Sequence, residues 1–502
     1  MGGLKETAIL KSARAGIRVT AAGFRALALD FIVSTVLLIP CFWQPHIACA
    51  DLPSHLYNAW LRTRVAAGLA PGLFLVQQKT NFLVDDLLAL LLRNWGVSTA
   101  EHVMTAVVVL IVFWGSLRFV ATASGRNAWV LAPLLAMLTY GLTFRWGFFN
   151  FYLSFGLCLW AASLAWSSRP RASIRAALLL ILAVAAHAMP PFWMVCVLGY
   201  LTLHAHLGGS ARRWLFAACA TALVAAHFVI PRVFRSDPAD LSPQHTRIYL
   251  RLIGLWQVAP SKRYFLVALL VLLVVAPALW RARKNLSLAA LEADAFVQLV
   301  LLHIMASALL PDTIFLPSYP SPFGLIGVRI SLMTAALLTV LLARLEWASW
   351  QPVAFAGIAC LFFTIAFFDE RAVNRAQERV RSIVASIPEG ARVIMPVRDV
   401  SHGPALFHFL DLACIGHCYD YVNYEPSSGQ FRLRAAQRNP YVMGKASEVI
   451  AYEAGQYVMQ RQDPPLFRIH LCGGTLNFDL CVDSMRRGQR ITIDSASVDA
   501  IR

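Results

Sequence analysis

The chain has 502 residues, of which 58% are hydrophobic and only 14% charged, and its mean hydropathy is +0.60. A soluble domain carries about 25% charged residues, so this composition excludes an ordinary soluble protein. The formal charge of +17 comes without an RNA- or DNA-binding motif, and basic flanks of membrane spans account for it, so nucleic acid is not an expected partner.

Lys5, Lys11, Arg14, Arg18 and Arg25 precede the first apolar run, Ala26 to Trp43. Ala48-Cys49-Ala50 resembles a signal-peptidase site. The charged leader is long for a signal peptide, however, and Pro40 to Pro45 lengthens the gap, which favours an uncleaved span over 24–43. A polar-to-amphipathic stretch follows, 44–98. Within it, 81–93 is too short and too acidic to cross a bilayer, which predicts an interfacial or re-entrant helix. Further apolar runs lie near 100–122, 127–144, 147–166, 173–190, 191–208, 214–231, 263–280, 295–311, 327–345 and 352–368. Runs of this length match roughly 30 Å of hydrocarbon. The expected fold is an α-helical polytopic membrane protein of about 11 transmembrane helices. Residues 1–368 form its membrane domain, with 44–98 as the first outer loop. Residues 369–502 carry no further span and break into short alternating pieces, which predicts a C-terminal soluble α/β domain.

With the N-terminus inside, the inner loops carry Arg118 and Arg126, Arg169, Arg171 and Arg175, Arg212 and Arg213, Arg281, Arg283 and Lys284, and Arg344. Each is short and basic, as the positive-inside rule requires. An odd number of spans then puts the C-terminal domain outside. Cys414, Cys418, Cys472 and Cys481 lie in that tail, where an oxidising compartment would allow two disulfides. Zinc has some pull, because His417, His402, His408 and His470 are near, but the cysteine spacing is not a standard zinc pattern. Cys41 and Cys49 are a possible further pair. No Walker A sequence or GxGxxG is present, so nothing points to an ATP-driven pump.

Most of the unusual polar residues fall on the outer side of this topology. Asp51 and His55 stand in Ala50-Asp51-Leu52-Pro53-Ser54-His55, and Asp85 and Asp86 in the same loop. Arg145 and Asn150 occupy a short turn, and His187 closes the fifth span. His227, Arg232, Arg235, Asp237, Asp240, His245 and Arg247 gather at or after the seventh. Asp312 and Arg329 bracket a Pro-rich loop. Outer arginines run against the charge rule, and a phosphate ligand is one cause, because Arg grips phosphate with a planar two-pronged fork. The competing reading is that each Arg caps a loop or pairs with a local Asp. Asp51 has its own bland reading, as N-cap of a helix beginning near Pro53. His303, in mid-span, reads as a neutral histidine bonded to another helix.

The arrangement resembles the GT-C class of membrane glycosyltransferases. The resemblance covers roughly 20–368 and rests on an inside N-terminus, a large first outer loop with an early acid and two helices (about 53–67 and 81–93), and many following spans. Asp51-Leu-Pro-Ser-His55 looks like the Asp-x-Pro-x-His start of some bacterial members, although Leu52 stands where several members have a second acid. The resemblance implies transfer of a sugar from a polyprenyl-phosphate donor to a lipid, glycan or protein acceptor, on the outer face of a bacterial inner membrane. Asp51 would be the general base and His55 would position substrate or share the proton. Arg329, Arg145 and Arg232 would hold the lipid phosphate, Asp312 is a candidate second acid, and His187 is a candidate substrate contact. No organic cofactor is implied, and a divalent cation is left open. The alternative is a transporter or lipid flippase of the cell envelope that uses the same arginines without chemistry.

Overall fold

A computed structural model describes residues 21–166, 170–239, 251–283, 287–317, 320, 322–399, 408–472 and 478–496. The leader residues Lys5, Lys11, Arg14 and Arg18, and also Arg169, Asp240, His245, Arg247, Lys284 and His402, lie outside these ranges.

The protein is mostly helical, and among the described residues five helices are long and apolar enough to cross a membrane: Leu83–Ser124, Gly209–Val233, Lys262–Ala282, Ile326–Ala343 and Trp350–Val384. Four shorter apolar helices, Leu27–Cys41, Trp129–Arg145, Phe149–Ala165 and Ala295–Leu309, accompany them. The segment 81–93 lies in a helix of its own: Leu83–Ser124 is two helices that meet at Gly96, whose backbone (φ +83°, ψ 174°) is not helical, and the apolar span follows it. Only glycine takes that backbone conformation without strain.

Leu83–Ser124 and Phe149–Ala165 make the tightest helix pair, and small residues let them approach. A Cβ on Gly115 would lie 2.8 Å from the Gly156 carbonyl oxygen, and one on Gly156 would lie 2.9 Å from Ile111. The Trp160 indole N–H donates to the Ile111 carbonyl at 3.1 Å across the same seam. Close backbone approach of this kind replaces the hydrophobic drive that lipid cannot supply.

The basic turns are tied together at one end of the helices. Arg213 pairs with Glu292 at 3.4 Å, Arg344 with Asp294 at 2.7 Å, and Arg281 donates to the Glu346 carbonyl at 3.2 Å. Helix Ile326–Ala343 runs from Arg329 to Arg344, roughly 22 Å along its axis, so Arg329 stands at the other end.

The tail folds on a four-stranded sheet in the order Tyr419–Asp420, Arg392–Ile394, Leu466–Leu471, Leu480–Ser484, in which only the last pair is antiparallel. Helix Trp350–Val384 runs unbroken through 368 into the tail. The tail shares its core with the first loop. Tyr57, Leu61, Ala70 and Leu73 pack with Val373, Val380, Phe409 and Ile469, and strand Leu73–Leu75 pairs antiparallel with Leu433–Ala435. The loop helix Leu52–Ala66 is therefore buried on two sides. Leu52, Leu56 and Ala59 face the helical core, while Tyr57 and Leu61 face the tail core.

Cys414–Cys418 and Cys472–Cys481 are disulfides. Cys41 and Cys49 are not paired. Cys41 meets the Tyr140 hydroxyl at 3.1 Å, and the Cys49 thiol donates to the Phe144 carbonyl at 3.1 Å. His303 accepts from the Trp193 indole at 2.7 Å, and its Nδ1 meets the Leu299 carbonyl at 2.7 Å. That geometry is the neutral tautomer.

Gly156→Leu should wedge this helix pair apart and lower stability by about 1–3 kcal/mol, the usual cost of overpacking. Thermal unfolding in detergent reads this directly, and an unchanged midpoint would mean that the seam is slack.

Candidate active site

The chain reaches the site helix through a backbone clamp. The Ala50 N–H donates to the Arg145 carbonyl at 2.9 Å and the Asp51 N–H to the Trp146 carbonyl at 3.2 Å. Gly147 closes that turn with φ +74°, and a Cβ there would sit 2.6 Å from the Asp51 nitrogen. The aromatic turn 144–149 and the acid are thus fixed against each other. Pro53 sits in the first turn of Leu52–Ala66, where its missing N–H costs nothing. Asp51 stands at the N-cap position but does not cap: its side chain takes no helix N–H. Its carboxylate instead faces His408 of the tail, with Oδ1 3.6 Å from Nε2.

One turn on, His55 is almost fully buried, at 6% exposure. Its Nδ1 lies 3.1 Å from Asp85 and 3.5 Å from Glu425. Asp85 is held from behind by Asn150, whose amide donates to it at 3.4 Å and whose oxygen accepts the Val84 N–H at 3.1 Å. Glu425 arrives with Asn423, which exchanges hydrogen bonds with Asn58 at 2.7 and 3.2 Å. Burial works against the charge on His55, but Asp85, Glu425 and Asp51 outweigh it and raise its pKa to about 9. Burial also pushes the Glu425 carboxyl well above the usual range, with Asp85 adding to the effect and His55 opposing it.

Arg329 enters just after Leu325, whose left-handed backbone (φ +57°) turns the Pro-rich loop into the helix. Its guanidinium lies over Phe148 at 4.3 Å, Phe323 at 5.1 Å and Phe151 at 5.6 Å. It donates to the Gly324 carbonyl, while its buried Nε has no partner among the described residues. Aromatic faces hold a cation without neutralising it.

Asp51, His55, His187 and Arg329 line one cavity of about 430 Å³. The helical wall adds Phe148, Asn150 and Phe151, and the tail adds Arg398, His408 and Tyr424. His187 is fixed as the neutral imidazole, because the Met189 N–H donates to its Nδ1 at 3.1 Å.

Three expected site residues lie elsewhere. Arg145 faces Asp369 at 3.5 Å and donates to the Tyr264 hydroxyl. Asp312 pairs with Arg251 at 3.1 Å and accepts the Gly327 N–H at 2.9 Å, so it serves the local loop. Arg232 is exposed and folds back to the Phe228 carbonyl at 2.5 Å. Arg145 is paired with a distant acid rather than a local one, Arg232 caps its own helix end, and none of the three lines the cavity. Sequence reasoning named His408 only beside the tail cysteines and missed Glu425, Asp411 and Tyr424. The i, i+3 spacing of His408 and Asp411 was the only local signal, and it was overshadowed by the neighbouring cysteines. Among the described residues, no three His, Cys, Asp or Glu side chains are grouped as metal ligands would be.

Comparison with protein-family models, with curated proteins and with solved structures finds no match to this chain.

The His55 cluster sets a pH window. Because the folded value near 9 exceeds the ordinary 6.5, the charge on His55 stabilises the fold fully below about pH 6.5 and is lost as pH rises through about 9. The contribution is on the order of 3 kcal/mol. The melting temperature should therefore fall between pH 6.5 and 9.5, and the fall should be much smaller in His55→Gln; equal slopes in the two proteins would remove His55 as its source.

Proposed function

We propose that this protein is a multi-span membrane glycosyltransferase of the GT-C type, working on the outer face of a bacterial inner membrane. In this reading all eleven apolar stretches cross the bilayer, the N-terminus and the basic turns lie inside, and the tail lies outside. The donor is a polyprenyl-phosphate sugar and the acceptor a hydroxyl of a lipid, glycan or protein. The observation that carries the reading is one cavity that holds an uncapped carboxylate, Asp51, and an aromatic-backed cation, Arg329. Two further facts support it. Both groups sit at the helix ends remote from the basic turns, and the cavity is walled by aromatic rings on the helical side and by polar groups on the tail side.

The reaction needs a base and an anion holder, and the two residues divide those roles. The acceptor hydroxyl gives its proton to Asp51 as its oxygen bonds to the anomeric carbon. The bond from that carbon to the phosphate oxygen breaks, and the pair of electrons leaves with polyprenyl phosphate. Arg329 offsets the charge growing on that leaving group. His55, locked between Asp85 and Glu425, acts on the position of Asp51 rather than on substrate. A divalent cation is not assigned a ligand set.

Asp51→Asn should keep normal membrane levels and lose transfer by about 10²–10⁴-fold, the usual contribution of a positioned base. The assay is product formation in proteoliposomes given a polyprenyl-phosphate sugar and an envelope extract. Full activity in this variant would end the assignment of Asp51, and lipid or solute movement without glycosyl product would favour transport. Burial raises the Asp51 carboxyl above its ordinary value. A base must be ionised, so kcat/KM should fall on acidification with a midpoint above 3.8, the ordinary value for Asp.

A further inference from the structure

Asp51 meets a second pair of groups, from the tail, that the proposed reaction has not yet used. His408 Nε2 stands 3.6 Å from Asp51 Oδ1, and His408 Nδ1 is 2.8 Å from Asp411 Oδ2. Asp411 is fully buried, and His408 is 17% exposed at its side chain. Asp411 opens the short helix Phe409–Cys414, and the Cys414–Cys418 disulfide ties that helix to strand Tyr419–Asp420. The Gln377 amide holds the same helix by donating to the Phe409 carbonyl at 3.0 Å. The imidazole ring is packed beside Tyr424, 5.4 Å between centroids.

We propose that Asp411, His408 and Asp51 form one charge-alternating line, in which His408 is the positioning residue that keeps the Asp51 carboxylate ionised and aimed into the cavity. The tail thereby completes a base whose acid comes from the first loop. The reading of Asp51 as base is the one given above, and the line depends on it only for its consequence in catalysis.

The chemistry requires such a device. A carboxylate walled by protein tends to take up a proton, and a protonated Asp51 cannot accept one from a hydroxyl. A cation within 4 Å opposes that tendency. His408 can be that cation because Asp411 lies on its far nitrogen, as a carboxylate steadies imidazolium in other base–histidine–acid lines. The charges facing His408 are Asp411 on its own helix, Asp51 before the site helix, His55 on that helix and Glu453 from the helix Ala446–Glu453, and Arg329 also acts on Asp51. Burial works against a charged His408, Asp411 and Asp51 favour it, and His55 opposes it. The sum raises His408 above its ordinary value, which agrees with the geometry.

The test is pH-dependent labelling of Asp51 by a water-soluble carbodiimide and an amine, read by peptide mass spectrometry on full-length protein in detergent. Carbodiimide attacks the protonated acid, so the labelling midpoint reports its ionisation without any sugar substrate. In His408→Gln the midpoint should move up by about one pH unit or more. Asp411→Asn should move it the same way by a smaller step, and His408→Lys should hold it near the parent value. Where transfer is measurable, the acid limb of kcat/KM should follow these shifts. An unchanged midpoint in both His408→Gln and Asp411→Asn overturns the line; if His408→Gln does not fold, Asp411→Asn alone decides. A moved midpoint in protein that transfers no sugar from any polyprenyl-phosphate donor sinks the glycosyl reading and leaves the line standing.

Discussion

The interaction on which the rest depends is the enclosure of His55 by Asp85 and Glu425. Three segments far apart in sequence meet there: the loop helix, the start of the first long membrane-length helix, and the tail. Burying an ion costs several kcal/mol unless it is paired. The charge on His55 is supported by acids from both of the other segments, and that pairing registers the tail on the helices. Apolar packing alone would be less exacting, because one leucine can slide past another at little cost, whereas an imidazolium and a carboxylate must meet within about 4 Å.

Around that anchor the site is built by exclusion. Gly147 admits the Asp51 backbone because it has no Cβ. The Asn58–Asn423 exchange brings Glu425 onto the helix. Asp51 is then the acid of the first loop that faces the cavity, with 23% of its side chain exposed, across from Asp420 and Glu453 of the tail, while Asp85 and Glu425 are spent on His55. The two acidic roles, structural and chemical, differ in burial and in which partner they face, not in residue type. Arg329 follows the same logic among the cations. Arg145 and Arg251 have carboxylates opposite them, whereas Arg329 has aromatic faces.

The apolar stretches were legible because hydrophobic runs report local burial, and helices fall on each of them. The two tail disulfides were legible from compartment reasoning, although not their pairing. The proposed Cys41–Cys49 pair failed because each thiol found a nearer partner in the 140–144 turn. The short acidic segment 81–93 is legible as a helix apart from the span after it, because Gly96 takes a non-helical backbone that separates the two. At the site, Asp51, His55, Arg329 and His187 were named in advance, as polar residues at the ends of apolar runs. Arg145, Arg232 and Asp312 met the same criterion and stand elsewhere, so the criterion finds helix ends rather than cavities.

The sequence by itself determined that the chain is a helical membrane protein with basic turns, and that Asp51 and His55 share one helical turn. Those properties follow from composition and from spacings of a few residues, which the chain's local geometry converts directly into faces and ends. The tertiary structure alone decided that His55 is bound by Glu425, 370 residues away, and that Asp51 faces His408 rather than capping its own helix. Coulomb pairing depends on distance in space, and nothing in the local periodicity of 51–60 records which distant carboxylate or imidazole the folded tail will bring to it.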